Sequence, residues 1–374
     1  MPVFDSRSFK NHEQVVFCSD EATGLKAIIA VHSTALGPAT GGTRFWDYAA
    51  NHRNSAPIDV AETRGEQDAV YDVLRLSRGM SFKNAMAGLR LGGGKSVIIG
   101  NPKELGKPEL MRAFGRYIDR LSGSYYAAED VGTSPDMLAT AAETTNYVCG
   151  LEGGDFGTGD PSPHTALGVF TGLKSAVMHR LGKASLAGVR VAVQGAGHVG
   201  QYLIDHLRAD GAKVIVTDIV DANIKAVLER GEAEVVAPEA IHAVDCDVFA
   251  PCALGGILNP NTLGDIKAKV IAGASNNQLE TEGVEDEILR KRGVLYAPDY
   301  VINAGGIISV ESEVYKENLD DAAREAKVLR IGETLTKIFN ASDKDGRPTG
   351  VIANEMAEDI IRQANEAKLA KAAE

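Results

Sequence analysis

The second half of the chain alternates between predicted strands and predicted helices, and this alternation limits the possible folds more than any other feature. Apolar residues recur at helical spacing over 165–181 and 199–208. Short apolar runs that are typical of strands lie at 189–194, 213–218, 248–250, 270–272 and 294–296. Strands that alternate with helices over short loops form parallel, doubly wound sheets. The sequence therefore predicts an α/β domain of that kind over residues 150–345.

A glycine motif, Gly195-Ala-Gly-His-Val-Gly200, lies between the strand at 189–194 and the helix that follows it. In a dinucleotide fingerprint, Gly195 permits the tight turn, Gly197 lets the backbone approach a pyrophosphate, and Gly200 lets the helix pack closely. The start of the helix, at His198 and Val199, supplies unpaired N–H donors and a partial positive charge. We predict a Rossmann-type dinucleotide site, with the His198 side chain facing solvent. The alternative is a glycine-rich turn that binds nothing.

Asp218 ends the next predicted strand, at the position where such sites carry an acidic residue. Its carboxylate would bind both hydroxyls of the adenosine ribose and repel a 2′-phosphate. Residues 219–223 contain no lysine or arginine that could neutralise that phosphate. The sequence therefore predicts NAD rather than NADP as the cofactor.

Length and composition restrict the class of protein. A chain of 374 residues is too long for one hydrophobic core, so we expect two domains. The net charge of −12 argues against nucleic acid and anionic membranes as partners. No apolar run approaches the ~20 residues that span a bilayer, and the N-terminus lacks the apolar core of a secretion signal. The four cysteines show no paired spacing, which favours reduced, buried thiols and no metal site in a cytoplasmic protein.

The first half of the chain predicts a separate domain, residues 1–149. A strand, a turn and a second strand are expected over 14–32, and helices over 68–78 and 108–121. The polar stretch 51–66 is expected to be an exposed loop, and the Gly- and Pro-rich stretch 151–163 to join the two domains. A last helix is expected from about residue 354 onward.

Two lysines, Lys83 and Lys95, flank a run of glycines in the first domain. Lysines that are brought close together disfavour each other's charge, and burial lowers the pKa further. One of them can then act as a general base while the other stays charged and holds a substrate carboxylate. Asp130, in a loop bounded by glycine, is suited to proton transfer. The alternative for each of these residues is a solvated surface role.

The same segment also resembles a phosphate-binding P-loop, because it ends in Gly-Lys-Ser. That motif requires its first glycine where this chain has Leu89, and it requires a helix after the lysine. The residues that follow Lys95 read as a strand instead. A nucleoside triphosphatase is therefore excluded.

Taken together, these segments resemble the glutamate/leucine/phenylalanine/valine dehydrogenase family, and its leucine dehydrogenase branch most closely. The resemblance covers nearly the whole chain. It rests on Leu36-Gly-Pro-Ala-Thr-Gly-Gly-Thr-Arg44, Lys83-Asn-Ala, Gly92-Gly-Gly-Lys95, Glu129-Asp-Val-Gly132, Ala192-Val-Gln-Gly-Ala-Gly197, Pro251-Cys-Ala-Leu-Gly255, Ala274-Ser-Asn-Asn-Gln278 and Ala297-Pro-Asp-Tyr-Val-Ile-Asn-Ala-Gly-Gly306. It implies a mixed-sheet catalytic domain, with the C-terminal helix 346–374 packed back on it, and a homo-oligomer of between two and eight subunits. Within 51–66 the chain departs from the family by an apparent insertion.

The resemblance also implies roles for individual residues. Lys83 would bind the substrate carboxylate with the backbone of Gly41 and Gly42, Lys95 would activate the water that attacks the imine, and Asp130 would carry protons to and from the amine. The products would be a 2-oxo acid and ammonium, in a reversible reaction. The remaining residues that it places at the cofactor are Thr165, Cys252, Ala253, Asn277 and Asn303, with Asn277 also at the substrate. Those that it places around the substrate side chain are Thr40, Ala128, Ile307 and Val310.

Substrate preference follows from two of these positions. Glutamate dehydrogenases have a lysine where this chain has Thr40 and a serine where it has Val310, so a second carboxylate would be buried unpaired at high cost. Aliphatic amino acids (leucine, isoleucine, valine) are the first expectation, and phenylalanine or tryptophan is the alternative within the family. A regulatory protein that binds NAD without catalysis is a second alternative. A 2-hydroxyacid dehydrogenase is disfavoured because no histidine lies in a matching context.

Overall fold

The structure is a computed structural model, and it describes residues 3–6, 8–50, 65–151, 159–253 and 255–373. Residues 51–64 of the predicted loop, with the apparent insertion, lie outside the described residues. Residues 152–158 of the predicted domain junction also lie outside them. Among the helices of the described ranges, none is long and apolar enough to cross a membrane.

The chain divides into two compact units. The first unit contains Met1–Asp160, Val310–Asn318 and Ala357–Glu374, and the second contains Pro161–Ser309 and Leu319–Met356. The first unit is therefore assembled from three separate stretches of sequence. The predicted functional boundary between residues 149 and 150, and the packing of 346–374 on the catalytic domain, stay predictions.

Two glutamates anchor the short stretch 310–318 within the first unit. A Glu311 carboxylate oxygen, in a side chain that is only 2% exposed, accepts a 2.7 Å hydrogen bond from the backbone N–H of Arg90. Glu313 accepts a 2.6 Å hydrogen bond from the backbone N–H of Gly150. The Arg90 guanidinium also pairs with Glu317 at 2.6 Å. The two hydrogen bonds from backbone N–H groups and this ion pair fix residues 310–318 against the rest of the unit.

A five-stranded mixed sheet forms the centre of the first unit. Its strands are β1 (Gln14–Asp20), β2 (Leu25–Ser33), β3 (Ala39–Trp46), β4 (Gly92–Ile99) and β5 (Tyr125–Glu129), in the order β1-β2-β4-β3-β5. The pairs β1–β2 and β2–β4 are antiparallel, whereas β3 is parallel to both β4 and β5. The predicted pair of strands within 14–32 is confirmed. The helices of this part of the chain are α1 (Glu66–Met86), α2 (Pro102–Leu105), α3 (Pro108–Asp119) and α4 (Pro135–Ala142).

The glycine run on β4 allows other elements to pack very closely on the sheet. A Cβ on Gly93 would lie 2.0 Å from the backbone nitrogen of Ser81 on α1. A Cβ on Gly94 would lie 2.6 Å from the ring of the fully buried Tyr125. Because these glycines belong to a strand, the structure agrees with the exclusion of a P-loop. Helix α1 continues to Met86, beyond its predicted end at residue 78, and so carries Lys83.

Two buried histidines join β2 and the N-terminal segment to α1. His32 shares a 2.8 Å hydrogen bond with the hydroxyl of Ser81, and His12 shares one of 2.8 Å with the hydroxyl of Ser77. The two imidazole rings lie edge to face, with their centroids 4.9 Å apart. Burial, helped by the positive charge of Arg78, lowers the pKa of His12 to about 4. Burial and the neighbouring His12 lower the pKa of His32 to about 3.

The second unit contains a six-stranded sheet in which every strand pair is parallel. Its order is β11-β10-β9-β6-β7-β8, which confirms the predicted doubly wound, Rossmann-type fold. The strands are β6 (Arg190–Gln194), β7 (Lys213–Thr217), β8 (Glu234–Val235), β9 (Val248–Pro251), β10 (Val270–Ile271) and β11 (Leu295–Tyr296). The helices along this half of the chain are α5 (Ser162–Leu181), α6 (His198–Ala209), α7 (Asp221–Glu229), α8 (Glu285–Lys291), α9 (Asp299–Ile302), α10 (Gly305–Val314), α11 (Asp321–Asp345) and α12 (Thr349–Ala373).

Candidate active site

The residues that the sequence places at the cofactor follow the carboxyl ends of the second sheet's strands. Gly195 follows β6, Asp218 follows β7, Cys252 and Ala253 follow β9, and Asn277 lies in the loop after β10. In the sheet, β7 lies on one side of β6 and β9 lies on the other side. Ligands of doubly wound sheets bind outside the carboxyl ends of the strands, where the strand order changes direction. The topology therefore brings these segments to one edge of the sheet.

The three glycines of the motif occupy the places that a dinucleotide fingerprint requires. Gly195 has a φ of +100°, and a Cβ there would lie 2.9 Å from Ala253. A Cβ on Gly200 would lie 2.2 Å from the carbonyl oxygen of Gly195, so the helix packs directly on the turn. Around Gly197 there is open space instead, at the start of the twelve-residue helix α6. Open space beside unpaired N–H donors fits a pyrophosphate. His198 is exposed and Val199 half-buried at this helix start.

The Asp218 carboxylate connects the glycine turn to the segment after β7. One oxygen accepts a 2.6 Å hydrogen bond from the backbone N–H of Ala196, and the other accepts one of 2.8 Å from Val220. The sequence predicted the position of this carboxylate but not these two bonds. They orient both oxygens at the end of β7.

Asn303 presents a buried acceptor at the same edge of the sheet. Its amide nitrogen donates to the carbonyl of Ala274 at 3.0 Å and to the side chain of Asn276 at 2.7 Å. Its Oδ1 is buried and has no hydrogen-bond partner among the described residues. A buried acceptor of this kind fits a ligand that brings its own N–H group, such as a carboxamide. The residue next to Asn276, Asn277, is held in the left-handed region with a φ of +51°.

Thr165 and the Gly305-Gly306 pair lie against each other. A Cβ on Gly306 would lie 2.8 Å from the Thr165 hydroxyl, and one on Gly305 would lie 2.0 Å from the carbonyl of His164. The start of α5 and the start of α10 are therefore packed backbone to backbone. The Thr165 hydroxyl itself donates to the carbonyl of Pro161 at 3.0 Å. Ile307 follows on α10 and is half-buried.

Lys95 and Asp130 form a close ion pair in the first unit. The Lys95 amine lies 2.5 Å from an Asp130 carboxylate oxygen, and the Lys95 residue is only 6% exposed. Lys95 comes from β4, and Asp130 is the first residue after β5. Gly42, on β3 between these strands, makes room for the pair because it has no side chain. The structure pairs the Lys95 amine with the Asp130 carboxylate, and the closeness of Lys83 to Lys95 stays a prediction.

Arg44 also contacts Asp130, a role that the sequence did not predict. Its Nε lies 3.4 Å from the Asp130 oxygen that Lys95 contacts. Its Nη1 donates a 2.7 Å hydrogen bond to Asp72, which also accepts one of 2.9 Å from the hydroxyl of Tyr48. Asp72 is buried on α1. The signal was present in the sequence, because Arg44 closes one of the segments on which the family resemblance rests.

These cations determine the charge of Asp130. Burial alone would raise the pKa of this carboxyl, but the positive charges of Lys95 and then Arg44 outweigh burial and lower it to about 2. Asp130 is therefore ionised throughout the neutral and alkaline range. A carboxylate that stays ionised at these pH values can accept hydrogen bonds from an N–H group of a ligand.

The predicted carboxylate-binding residues lie on neighbouring elements of the first unit. Lys83 is half-buried near the end of α1. A Cβ on Gly41 would lie 3.2 Å from the side chain of Met80, one turn before Lys83 on that helix. The carbonyl of Gly41 accepts a 2.8 Å hydrogen bond from the buried hydroxyl of Tyr125. Helix α1 therefore lies directly over the Gly41-Gly42 segment of β3.

The predicted side-chain pocket draws three of its four residues from the first unit. Thr40 on β3 is fully buried, and its hydroxyl makes a long, 3.4 Å hydrogen bond to the carbonyl of Pro38. Ala128 on β5 is half-buried, and Val310 on α10 is 7% exposed. Ile307 belongs to the second unit. No group of three or more acidic, histidine or cysteine side chains that could hold a metal ion occurs among the residues that the structure describes.

Comparison with known families and proteins identifies this arrangement. The family model described as Glu/Leu/Phe/Val dehydrogenase, dimerisation domain, matches residues 12–147. The Glutamate/Leucine/Phenylalanine/Valine dehydrogenase model matches 157–223 and 216–374. A leucine dehydrogenase of Geobacillus stearothermophilus is 45% identical over 98% of this chain and 95% of its own length. A valine dehydrogenase of Streptomyces albus is 44% identical over 94% of this chain and 93% of its own length.

Solved structures agree with the sequence relatives. The crystal structure of an L-tryptophan dehydrogenase from Nostoc punctiforme matches with a TM-score of 0.79 at 42% identity, over 95% of this chain and 97% of that chain. A glutamate dehydrogenase from Thermus thermophilus matches with a TM-score of 0.73 at 21% identity, over 96% of this chain and 90% of that chain, which shows the fold alone. With family models over both halves and curated relatives over nearly its full length, the chain belongs to the glutamate/leucine/phenylalanine/valine dehydrogenase family and is an amino acid dehydrogenase that uses a nicotinamide cofactor.

Proposed function

We propose that this enzyme oxidatively deaminates an aliphatic L-amino acid, with leucine as the first choice, to the 2-oxo acid and ammonium, and that its cofactor is NAD. The observation that carries the proposal is the buried Lys95–Asp130 pair beside the Gly41-Gly42 backbone. This pair provides a proton acceptor and a water-activating amine at a single place on the first sheet. The leucine and valine dehydrogenases among the relatives support the aliphatic substrate class.

The proposed mechanism begins with binding and deprotonation. Lys83 and the backbone N–H groups of Gly41 and Gly42 hold the α-carboxylate, so that the amino group faces Asp130. Asp130 accepts a proton from the substrate ammonium and frees the nitrogen lone pair. A nicotinamide cofactor, which the Gly195–Gly200 turn and Asp218 would hold, would supply the acceptor for the α-hydrogen as a hydride, and loss of that hydride would leave an imine on the substrate.

Hydrolysis of the imine then uses the Lys95–Asp130 pair. Their 2.5 Å separation allows a proton to move between the amine and the carboxylate. Lys95 first releases its own proton to solvent, which is the one net proton of the reaction, and in its neutral form it takes a proton from water while the hydroxide equivalent adds to the imine carbon. Return of protons to the nitrogen expels ammonia, which leaves as ammonium, and the carbinol collapses to the 2-oxo acid. The water oxygen ends in the ketone, and the pair regains its starting charge.

Two residues favour an apolar substrate side chain. Thr40 and Val310 present no cation, and both are buried. An unpaired carboxylate brought against them would lose its hydration without compensation. An aromatic substrate is the second candidate, because a tryptophan dehydrogenase matches the chain at 42% identity.

Cofactor choice and assembly follow from other features. The fixed Asp218 carboxylate would accept hydrogen bonds from the ribose hydroxyls and repel a 2′-phosphate, which supports NAD. The buried Asn303 oxygen would accept from the nicotinamide carboxamide. The match to a dimerisation-domain model supports a homo-oligomer.

An NADH-formation assay with each standard amino acid at alkaline pH tests the proposal. Leucine, isoleucine and valine should be the best substrates. Lys95→Ala should still bind NAD but lose turnover by about 10²–10⁴-fold, the range of a general base. Lys26→Ala, an exposed lysine on β2 of the same sheet, is the matched control and should keep full activity. Activity above a tenth of normal in Lys95→Ala would assign the base elsewhere.

A further inference from the structure

Asp130 is held from both sides by cations that meet on one of its oxygens. The Lys95 amine and the Arg44 Nε lie 2.5 and 3.4 Å from the same Oδ2 atom. The Arg44 Nε is buried and has no hydrogen-bond partner among the described residues. Its 3.4 Å separation from the Asp130 oxygen is that of an ion pair and is slightly longer than a hydrogen bond.

Arg44 is itself fixed from the other side by helix α1. Its Nη1 lies 2.7 Å from the buried Asp72 carboxylate, which also accepts a hydrogen bond from Tyr48. Arg75 faces the second oxygen of Asp72 at 3.8 Å. A continuous row of charges thus runs from Lys95 through Asp130 and Arg44 to Asp72. Its last member lies on the helix that carries Lys83.

We propose that Arg44 is a positioning residue that keeps the Asp130 carboxylate ionised and directed at Lys95, and that the Asp72 contact sets Arg44 in place for this task. The inference rests on the proposed function, in which Asp130 accepts the substrate proton. Arg44 acts through Asp130 and does not touch the reacting atoms. Its guanidinium is suited to the role because its rigid planar fork presents separate N–H groups to two carboxylates in a fixed geometry, whereas a lysine amine is a single flexible point charge.

Electrostatics predicts a direction for the loss of Arg44. With one cation fewer, the Lys95–Asp130 pair holds its exchangeable proton more tightly, whichever of the two atoms carries it. The limb of the pH–rate profile that reports deprotonation of the pair should therefore move to higher pH. The other ionisable groups that interact with Asp130 are Lys95 on β4, Tyr125 on β5 and Tyr48 after β3, and substitution of Arg44 replaces none of them.

The test uses a variant that removes both charges and keeps a polar amide side chain at each position. Arg44→Gln combined with Asp72→Asn leaves no unpaired buried charge, unlike Arg44→Gln alone. Arg112→Gln combined with Glu143→Gln neutralises an exposed ion pair of the same unit and is the matched control. For both variants and the unmodified enzyme, kcat and KM for leucine are measured across pH, and NADH affinity is measured by fluorescence. The carboxyl resonance of Asp130, identified by its loss in Asp130→Asn, is titrated by carbon NMR.

In the Arg44→Gln/Asp72→Asn variant, we expect the acid limb of kcat to move up by about one pH unit or more, the lower end of the effect of an adjacent charge. The fall in kcat should exceed any change in KM, and NADH affinity should not change. Arg44→Lys should shift the acid limb less than the double variant does, because it keeps the positive charge and loses only the planar guanidinium. An unchanged acid limb, or a loss confined to KM, would overturn the inference.

The carboxyl titration needs no substrate, so it separates two kinds of failure. If no amino acid is oxidised by the unmodified protein, the proposed function is wrong, yet an upward shift of the Asp130 titration would still support Arg44 as the residue that keeps it ionised. If leucine is oxidised and the titration does not move, only the role of Arg44 is refuted.

Discussion

Gly42 lies directly against Asp130: a Cβ on this glycine would be 2.7 Å from the Asp130 Cβ and 3.2 Å from the Lys95 amine. We expect Gly42→Ala to displace the pair and to lower kcat for leucine by at least about tenfold, because a shift of about 1 Å in reacting groups has a large effect on rate. Overpacking should also destabilise the fold by about 1–3 kcal/mol. Steady-state kinetics and urea unfolding check both effects.

A matched glycine isolates the steric effect of that substitution. Gly79 on α1 has open space around its missing side chain. Gly79→Ala should keep full activity and gain about 0.5–1 kcal/mol of stability, the advantage of alanine within a helix. Equal activity of Gly42→Ala and the unmodified enzyme would mean that the position of the pair tolerates displacement.

Cofactor preference should depend on the charge of Asp218. Asp218→Asn keeps an acceptor for the Ala196 N–H, so the glycine turn is retained while the repulsion of a 2′-phosphate is removed. We expect the ratio of kcat/KM for NAD over NADP to fall by about tenfold or more, equivalent to about 1.4 kcal/mol. Asp221→Asn, an exposed residue at the start of α7, is the control. Comparable efficiency of the unmodified enzyme with both cofactors would refute the assignment.

Substrate charge should matter more than substrate size. We expect leucine to be oxidised far better than glutamate, because an unpaired carboxylate near Thr40 and Val310 costs several kcal/mol. Methionine, which is similar in length to glutamate but apolar, should lie closer to leucine. Comparing kcat/KM for leucine, methionine, phenylalanine and glutamate tests whether side-chain charge or side-chain size controls the preference. Glutamate at or above the three apolar substrates would show that a cation faces the pocket.

The buried histidine pair should make the protein sensitive to acid. His12 and His32 have lower pKa values in the folded state than the ordinary 6.5, so the unfolded chain binds more protons as the pH falls. Their contribution to stability is complete above pH 6.5 and is lost from there towards about pH 4. Each histidine adds up to about 1.4 kcal/mol per pH unit to the slope in that window.

A variant comparison separates the histidines from the carboxylates, which also titrate in acid. His12→Gln/His32→Gln should show a shallower fall in the free energy of unfolding between pH 6.5 and 4.5 than the unmodified protein, when both are measured by urea denaturation. His198→Gln replaces an exposed histidine and should leave the slope as it is. Identical slopes for the double variant and the unmodified protein would mean that the pair is not buried in its neutral form.

The fold of the second unit was largely predictable from the sequence. Its strands are short continuous apolar runs, whereas the helices between them show apolar residues at helical spacing. Strands β3 and β5 were not predicted. Glycine, alanine and threonine make up most of β3, and β5 is only five residues long, so neither strand shows the apolar alternation on which strand prediction depends. Helices α10 and α11 were also missed. In α11, charged residues occupy most exposed positions and mask a buried stripe that includes Val328, Ile331 and Leu335.

The site shows a similar division. Lys95 and Asp130 were named from motifs, but no sequence pattern shows that a residue of β4 and the residue after β5 lie 2.5 Å apart. That contact depends on the parallel pairing of β3 with both β4 and β5. The partnership of Arg44 with Asp72 is non-local for the same reason, since it joins a strand to a helix. Side-chain chemistry could be inferred from the sequence, whereas the pairing of charges needed the fold.

Residues 310–318 belong to the first unit although they follow most of the second unit in the sequence, and this affects how the substrate specificity of related enzymes can change. A genetic exchange that replaced only residues 1–160 would join the Arg90 and Gly150 of one parent to the Glu311 and Glu313 of the other. Val310, next to these anchors, would come from a different parent than Thr40. No single crossover can transfer the first unit intact. Chimeras cut at one point should therefore inherit mismatched anchors, and lineages of this architecture should change specificity by point substitutions on both stretches.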